Sequence, residues 1–294
     1  MSPAGYKKQY KALKVDFIAT DTTTVTVSLD KYLISRRDLP REGAALIEKA
    51  KDYLTRQQRV DPSFTLALIV DGRVATFGTW DQLKPYLAPP FYGKGSPEEY
   101  QIVAQIAVLT NRSTAPTLQR YFDEHLGIDC NGFVGNFLWH RNADWQEPAA
   151  ADRSRLITEF INSKDGRAIG DIDDIQPGEL NLFGLVRKKT LEIIPSAVWT
   201  ADGLADSGHV FISEPGRFHR IPRVAPLLTP VLQLWAVEST GGKGLAEDWC
   251  TITEFADAKG KPRSPHGFPH HRIFSVHRNS KNTDDLFAMT AYSL

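Results

Sequence analysis

The chain has little cysteine and no excess of either charge. Its 294 residues include only two cysteines, Cys130 and Cys250, too few for the disulfide framework of a small secreted domain. They also lack the CxxC spacing of a zinc or redox site, and at most they form one bridge. The 35 basic and 35 acidic side chains cancel. No overall field therefore attracts nucleic acid or an anionic membrane, and any partner must be recognised locally.

Long apolar runs are also absent. No segment reaches about 18 apolar residues, the length that a membrane-spanning helix needs. The N-terminal stretch MSPAGYKKQYKALKVDFIATD has no uninterrupted apolar region and no small-residue cleavage site. We therefore expect a cytoplasmic protein as encoded, without membrane insertion, although export by another route stays open.

Residues 1–95 are predicted to form a smaller α+β unit. VDFIATD and TTTVTVSL are rich in β-branched residues and predict strands, and a helix is expected to begin at Pro40. Asp71-Gly72 joins two apolar runs, which is a strong signal for a tight β-hairpin. PYLAPPFYGKGSP, crowded with proline and glycine, predicts a linker that closes this unit.

Residues 96–294 are predicted to form the larger domain. Ser96-Pro97-Glu98-Glu99 has the residues of a helix start, and a second helix is expected through TLQRYFDEHL. Beyond residue 170 short apolar segments alternate with turns, and their connections are too short for helical crossovers. Helices followed by strands predict an α+β fold with an antiparallel sheet.

Cys130 lies in the stretch GIDCNGFVGNFL. Phe133, Val134 and Phe137 follow it at three, four and seven positions, so the thiol is expected in the first turn of a helix, on its apolar face. A free cysteine usually behaves as a small buried hydrophobe, which is one interpretation. The flanking Asp129 and Asn131 favour the other, a thiol at a helix N-terminus, where its pKa falls.

Four motifs in order resemble those of the NlpC family of papain-like cysteine peptidases and amidases. Asp129-Cys130-Asn131-Gly132-Phe133-Val134 is similar to the family's Asp-Cys-Ser-Gly-Phe/Leu-Val nucleophile motif, with asparagine in place of serine. Pro177-Gly178-Glu179-Leu180 resembles Pro-Gly-Asp-Leu, and Gly208-His209-Val210-Phe211-Ile212 resembles the strand of the catalytic histidine. On the next strand, Glu238 in LWAVES matches the polar residue that orients that histidine.

The resemblance covers roughly residues 97–245. It implies a papain-like core with helices packed on an antiparallel sheet, and cleavage of an amide bond in peptidoglycan stem peptides through Cys130, His209 and Glu238. The sequence departs from the family's pattern in two features that bear on the substrate class. The Tyr-x-Trp-Gly-Gly block that precedes the cysteine is missing, although Tyr121 lies at about the right distance, and the spacing from Cys130 to His209 implies an insertion.

The chemistry of the residue types is compatible with the same roles, and the other interpretations are a half-buried structural histidine for His209 and a solvated strand-end glutamate for Glu238. A thiol needs a histidine that takes its proton and returns it to the leaving amine. Among eight histidines, only His209 is predicted from its neighbours to lie within a short apolar strand. Glu238 ends the apolar run LQLWAVE, where a carboxylate is costly without a partner, and Ser239 is the substitute if the register is off by one.

The oxyanion is expected to meet the backbone N–H of Cys130 first, and Tyr121 is a candidate second donor, although a core aromatic is the commoner role for it. SPHGFPHHRIFSVH contains four histidines without a ligand template, and no phosphate-loop pattern occurs. We therefore expect no metal and no cofactor.

Two alternatives to a hydrolase stay open. One is an acyl- or amide-transferring thiol enzyme that loads an acceptor other than water. The other is a catalytically inactive binding protein in which Cys130 is inert. The sequence does not predict the oligomeric state or the role of residues 1–95.

Overall fold

The computed structural model describes residues 1–17, 23–33, 39–141, 156–196, 198–200, 203–221, 231–241 and 243–293. The chain folds into two compact units, neither of which is one continuous segment. The first unit consists of Met1–Gly5, Ser154–Glu238 and Ala246–Leu294, and the second of Tyr6–Arg153 and Ser239–Leu245. The boundary that the sequence predicts between residues 95 and 96 falls inside the second unit.

The described residues contain these helices and strands. The α-helices are α1 (Pro3–Lys11), α2 (Arg41–Val60), α3 (Trp80–Leu83), α4 (Pro97–Leu109), α5 (Leu118–His125), α6 (Cys130–Arg141) and α7 (Ile157–Ile161). The strands are β1 (Leu13–Phe17), β2 (Thr23–Val27), β3 (Leu66–Val70), β4 (Arg73–Phe77), β5 (Gly166–Ala168), β6 (Leu180–Val186), β7 (Val198–Thr200), β8 (Gly203–Asp206), β9 (Val210–Ile221), β10 (Val231–Thr240), β11 (Gly244–Glu254), β12 (Ile273–Arg278) and β13 (Thr283–Tyr292). Short 3-10 helices cover Lys84–Tyr86, Pro89–Tyr92, Ala115–Thr117 and Ile172–Asp174.

The second unit is mainly helical, with two small antiparallel hairpins, β1–β2 and β3–β4. The turn between β3 and β4 is Asp71-Gly72, and both residues have positive φ, as the predicted tight hairpin requires. Helix α4 begins as predicted: the Ser96 side chain accepts a hydrogen bond from the Glu99 N–H, and the Glu99 carboxylate accepts one from the Ser96 N–H. These local signals are confirmed because they depend only on neighbouring residues.

The first unit is built on a closed six-stranded antiparallel sheet. Its strands follow the order β12-β11-β10-β9-β6-β13, and β13 pairs with β12 again, so that the ring has no free edge. Strand β13 closes the ring by pairing with β12 through residues 283–288 while its other edge pairs with β6 along residues 286–292. Strand β5 adds to β13 beyond the end of β12, through residues 290–292.

The predicted fold class is wrong. A papain-like core with helices packed on a sheet was expected, whereas six strands of the first unit form a closed antiparallel sheet. Helices α4, α5 and α6, which were expected to cover this sheet, belong to the other compact unit. The short connections indicated antiparallel strands, but the pairing of β6 with β13 joins residues about a hundred positions apart, and no local pattern encodes it.

An apolar cluster fills the core of the first unit. Phe183 and Phe211 stack with ring centroids 4.2 Å apart, and Phe287 contacts both rings edge-on. The cluster also includes Cys250, Ile252, Phe274 and Met289. No helix among the described residues is long and apolar enough to cross a membrane.

Candidate functional site

Cys130 is the first residue of helix α6, in the second unit. Asp129 caps the helix: its Oδ1 accepts the Gly132 N–H at 2.6 Å, and its carbonyl accepts the Phe133 N–H at 3.0 Å. The other carboxylate oxygen lies 2.6 Å from the Nζ of Lys94. The helix start is therefore fixed, and the thiol lies where the helix dipole favours a negative charge.

Helix α6 is held against the chain segment 93–95. A Cβ on Gly132 would lie 2.0 Å from the carbonyl oxygen of Gly93, so only glycine permits this approach. The Nδ2 of Asn136 donates to the carbonyls of Lys94, Gly95 and Gly132, at distances from 2.8 to 3.0 Å. Helix α6 therefore packs closely against another backbone segment at this glycine.

The thiol is nearly buried, and a tyrosine that the sequence analysis missed contacts it. The exposed fraction of Cys130 is 5%, and its Sγ lies 3.7 Å from the Oδ1 of Asn131. Tyr32 pairs with Ile128 through an isolated parallel bridge, and its hydroxyl hydrogen-bonds to the Cys130 side chain. Burial raises the pKa of Tyr32, and the nearby Cys130 and Asp129 raise it further, so the hydroxyl keeps its proton and acts as a donor.

Tyr121, the tyrosine that the sequence suggested, lies elsewhere in the second unit. Its side chain is close to Glu42 and Arg112, and its ring packs edge-on against His125, with centroids 4.9 Å apart. It is buried on α5, which agrees with the core role that the sequence analysis also allowed. Tyr32 carried no sequence signal, because only the pairing of Tyr32 with Ile128 brings it to the thiol.

Ser239 lies in the second unit and also contacts the segment that leads into α6. Its Oγ donates to the carbonyl oxygen of Ile128 at 2.6 Å. Glu238, the preceding residue, belongs to the first unit. Neighbouring strand residues point to opposite faces, so Glu238 and Ser239 face different partners. Ser239 contacts Ile128, and it therefore does not take the place of Glu238.

His209 lies one residue before β9, in the first unit, rather than within the strand. The Leu185 N–H donates to its carbonyl at 2.9 Å, which joins this position to β6. A Cβ on the preceding Gly208 would lie 2.7 Å from the carbonyl oxygen of Ile194, so this glycine lets the chain pass close to that segment. The exposed fraction of His209 is 7%.

The imidazole of His209 contacts the carboxylate of Glu238 directly. The Nε2 of His209 lies 2.7 Å from the Oε2 of Glu238, which is on β10 and only 2% exposed. The same oxygen accepts the Nη1 of Arg278 at 3.0 Å, and the other oxygen accepts the hydroxyl of Ser280. We refer to His209, Glu238, Arg278 and Ser280 as the imidazole network.

The imidazole network fixes the charge of its members. Burial by itself raises the pKa of Glu238, but His209, Arg278 and Ser280 together lower it to about 2, so the carboxylate is ionised. Burial lowers the pKa of His209, Glu238 opposes this, and the positive charges of Arg278 and Lys281 lower it further. A neutral ring that donates from Nε2 to Glu238 leaves Nδ1 as the basic nitrogen.

The two cysteines do not form the bridge that the sequence allowed. Both are free and buried. Cys250 lies on β11 in the core of the first unit, where burial raises the pKa of its thiol to about 12. Cys250 is therefore an inert internal reference for the chemistry of Cys130.

The C-terminal histidines have separate partners. His271 is buried, with Nε2 within 3.2 Å of the Ile161 carbonyl and 3.0 Å of the Thr290 hydroxyl, and His277 contacts Asp284 at 2.9 Å. Among the described residues no group of three or more His, Cys, Asp or Glu side chains could hold a metal ion.

The structure thus brings His209 and Glu238 together in the first unit and places Cys130 in the second. Comparison of the chain with protein-family models, with curated proteins and with solved structures found no match. The resemblance to the NlpC family therefore remains a prediction from its motifs.

Proposed function

We propose that the protein is a cysteine hydrolase that cleaves an amide bond through Cys130, His209 and Glu238. The observation that carries the proposal is the buried contact of 2.7 Å between His209 Nε2 and Glu238 Oε2. A carboxylate at this distance fixes the tautomer of the ring and stabilises the imidazolium, which are the two things that a general base needs from its partner. The proposal rests on these side chains and not on a papain-like fold.

The reaction begins with transfer of the Cys130 thiol proton to Nδ1 of His209. The thiolate attacks the carbonyl carbon of the substrate, and the C=O π electrons move to oxygen. The backbone N–H of Cys130 and the hydroxyl of Tyr32 are the donors proposed for this oxyanion. His209 then protonates the leaving amine as the C–N bond breaks, which leaves a thioester on Cys130.

Water completes the cycle. His209 takes a proton from a water molecule, the hydroxide attacks the thioester, and the C–S bond breaks to release a carboxylic acid. The thiolate recovers its proton from the imidazolium. Throughout, Glu238 keeps its charge and stabilises the imidazolium that forms twice in each turnover.

The substrate proposed is a peptide or cell-wall fragment, with peptidoglycan stem peptides as the first class to test. This assignment comes from the order of the four motifs that resemble the NlpC family. The residues by themselves specify only an amide or an ester, and the acceptor decides between hydrolysis and acyl transfer.

The test uses purified stem peptides with mass spectrometry of the products. Cys130→Ala and His209→Ala are each expected to lower turnover at least about 100-fold, because base and nucleophile act as a unit. Cys250→Ala is the matched control and is expected to keep its turnover, since that thiol lies in the core with a pKa of about 12. Full activity in either of the first two variants rejects the proposal.

Two measurements separate the alternatives. Products that carry an added amine or acyl acceptor in place of water would indicate a transferase on the same residues. Iodoacetamide labelling followed by peptide mapping compares the two thiols directly. If Cys130 reacts only at about pH 8.5 and above, as an ordinary thiol does, its pKa is not lowered, and an inactive binding protein is favoured.

A further inference from the structure

The residues behind the proposed base form a buried charge network that no motif marks. Glu238 Oε2 is shared by two donors, with His209 Nε2 at 2.7 Å and Arg278 Nη1 at 3.0 Å. Arg278 is the last residue of β12, and only 5% of its side chain is exposed. Its second terminal nitrogen, Nη2, donates to the Oδ2 of Asp285 at 2.9 Å. Both terminal nitrogens of the guanidinium are therefore bonded to carboxylates.

We propose that Arg278 is a positioning residue of this site. Because it shares Oε2 of Glu238 with His209, it holds Glu238 as a carboxylate and disfavours a positive charge on the imidazole ring. The inference rests on the proposed function, because it concerns the resting state of the proposed base. Arg278 acts through Glu238 and not on the substrate.

A buried Glu–His pair behaves differently when no third charge lies beside it. A carboxylate at hydrogen-bond distance from an imidazole stabilises the imidazolium, so an isolated pair tends toward a Glu⁻–His⁺ ion pair. An imidazolium cannot accept the proton of a thiol. The base would then be protonated at neutral pH before any substrate binds.

The guanidinium changes this balance in two ways. It supplies the counter-charge for Glu238, so the carboxylate is paired whether or not the ring carries a proton. It also repels a proton on the ring, since both donors approach the same oxygen atom. The resting ring is then neutral, protonated at Nε2 toward Glu238 and basic at Nδ1.

Among the described groups around the ring, Lys281 also disfavours a positive charge on the imidazole, but the hydrogen bond to the shared oxygen of Glu238 comes from Arg278. The described groups that face the ring or its partners include Glu238 on β10, Cys250 on β11, Arg278 at the end of β12, Ser280 and Lys281 in the following turn, and Asp285 on β13. Ser280 donates to Glu238 Oε1 but carries no charge. The Nη1 of Arg278 donates directly to the Oε2 of Glu238.

The experiment measures the His209 ring by NMR in protein labelled with ¹⁵N at histidine. The His209 signals are assigned by their loss in His209→Asn, and ring nitrogen shifts report tautomer and protonation across a pH titration. In the wild-type protein at about pH 7, we expect a neutral ring protonated at Nε2. A ring protonated at both nitrogens under these conditions overturns the inference, without the need for any variant at Arg278.

Variants test the cause. Arg278→Gln removes the positive charge and is expected to raise the measured His209 pKa by about one unit or more, whereas Arg278→Lys is expected to restore most of the wild-type value. Arg187→Gln, which breaks an exposed pair with Glu192, is the matched control and is expected to leave the pKa unchanged. An unchanged His209 pKa in folded Arg278→Gln also overturns the inference.

The design separates this inference from the proposed function. The NMR titration needs no substrate, so it gives its result even if Cys130→Ala keeps full activity and the hydrolase proposal fails. If the hydrolase proposal holds, the acid limb of the pH–rate profile is expected to move upward in Arg278→Gln by the same amount as the His209 pKa. An acid limb that stays in place while the pKa moves shows that Arg278 does not act on the base.

Discussion

Glu238→Gln is the most direct test of how the first unit uses its buried charge. Glutamine has nearly the shape of glutamate but no charge, so the change leaves packing intact while Arg278 loses its counter-charge in a buried position. Lowering the Glu238 pKa from 4.5 to about 2 corresponds to about 3 kcal/mol of folding free energy. This agrees with the range of about 3–5 kcal/mol for removing one partner of a buried ion pair.

The sign of the pH dependence follows from the direction of that shift. The folded-state pKa is lowered, so the stabilisation is complete above the unfolded-state value of 4.5 and is lost as the pH falls toward about 2. The wild-type protein is therefore expected to lose stability steeply in this acid range. Glu238→Gln is less stable at neutral pH and is expected to show a shallower acid slope.

The assay is urea unfolding followed by circular dichroism at several pH values, with m-values compared to check that the same surface is exposed. Glu192→Gln is the control, since Glu192 makes an exposed ion pair with Arg187 at 3.0 Å and such pairs contribute about 0–1 kcal/mol. The reasoning is refuted if the two variants lose the same free energy of unfolding, or if their acid slopes are equal.

Two further predictions concern packing and pH. Gly132→Ala is expected to destabilise the protein by about 1–3 kcal/mol in thermal unfolding, although alanine favours helices, because the new Cβ would meet the Gly93 carbonyl. Gly178→Ala, where a Cβ meets nothing within 4 Å, is the control, and equal melting temperatures would contradict the clash. The pKa of His271 is lowered mainly by burial, so the free energy of unfolding is expected to fall as the pH falls below 6.5. In urea unfolding at several pH values, His271→Gln is expected to show a smaller dependence of this free energy on pH. An unchanged slope would indicate that His271 is not titrated on unfolding.

Local signals in the sequence predicted local structure well. The capping residues at Ser96 and Glu99, the hairpin turn at Asp71-Gly72 and the helix that begins at Cys130 all depend on residues within a few positions of one another. Apolar runs such as LNLFGLV and RIFSVHR coincide with β6 and β12 for the same reason. Short connections also indicated antiparallel pairing correctly.

Non-local pairing could not be predicted in this way. The closed six-stranded sheet depends on β13 reaching both β12 and β6, and the division into two units assigns α4, α5 and α6 to one unit and that sheet to the other. A family resemblance supplied an arrangement of helices and sheet that the structure contradicts. The apolar patterns were compatible with both arrangements, because alternation specifies which face of a strand is buried but not which strand it pairs with.

The sequence by itself determined which residue types are available for chemistry: a thiol that follows an acid, a histidine between a glycine and an apolar run, and a glutamate that ends an apolar run. The tertiary structure decided their partners. Only folding brings the Tyr32 hydroxyl to Cys130, and Arg278 and Ser280 to Glu238. These contacts span forty or more positions, and their strength depends on exclusion of water, which no local pattern of residues records.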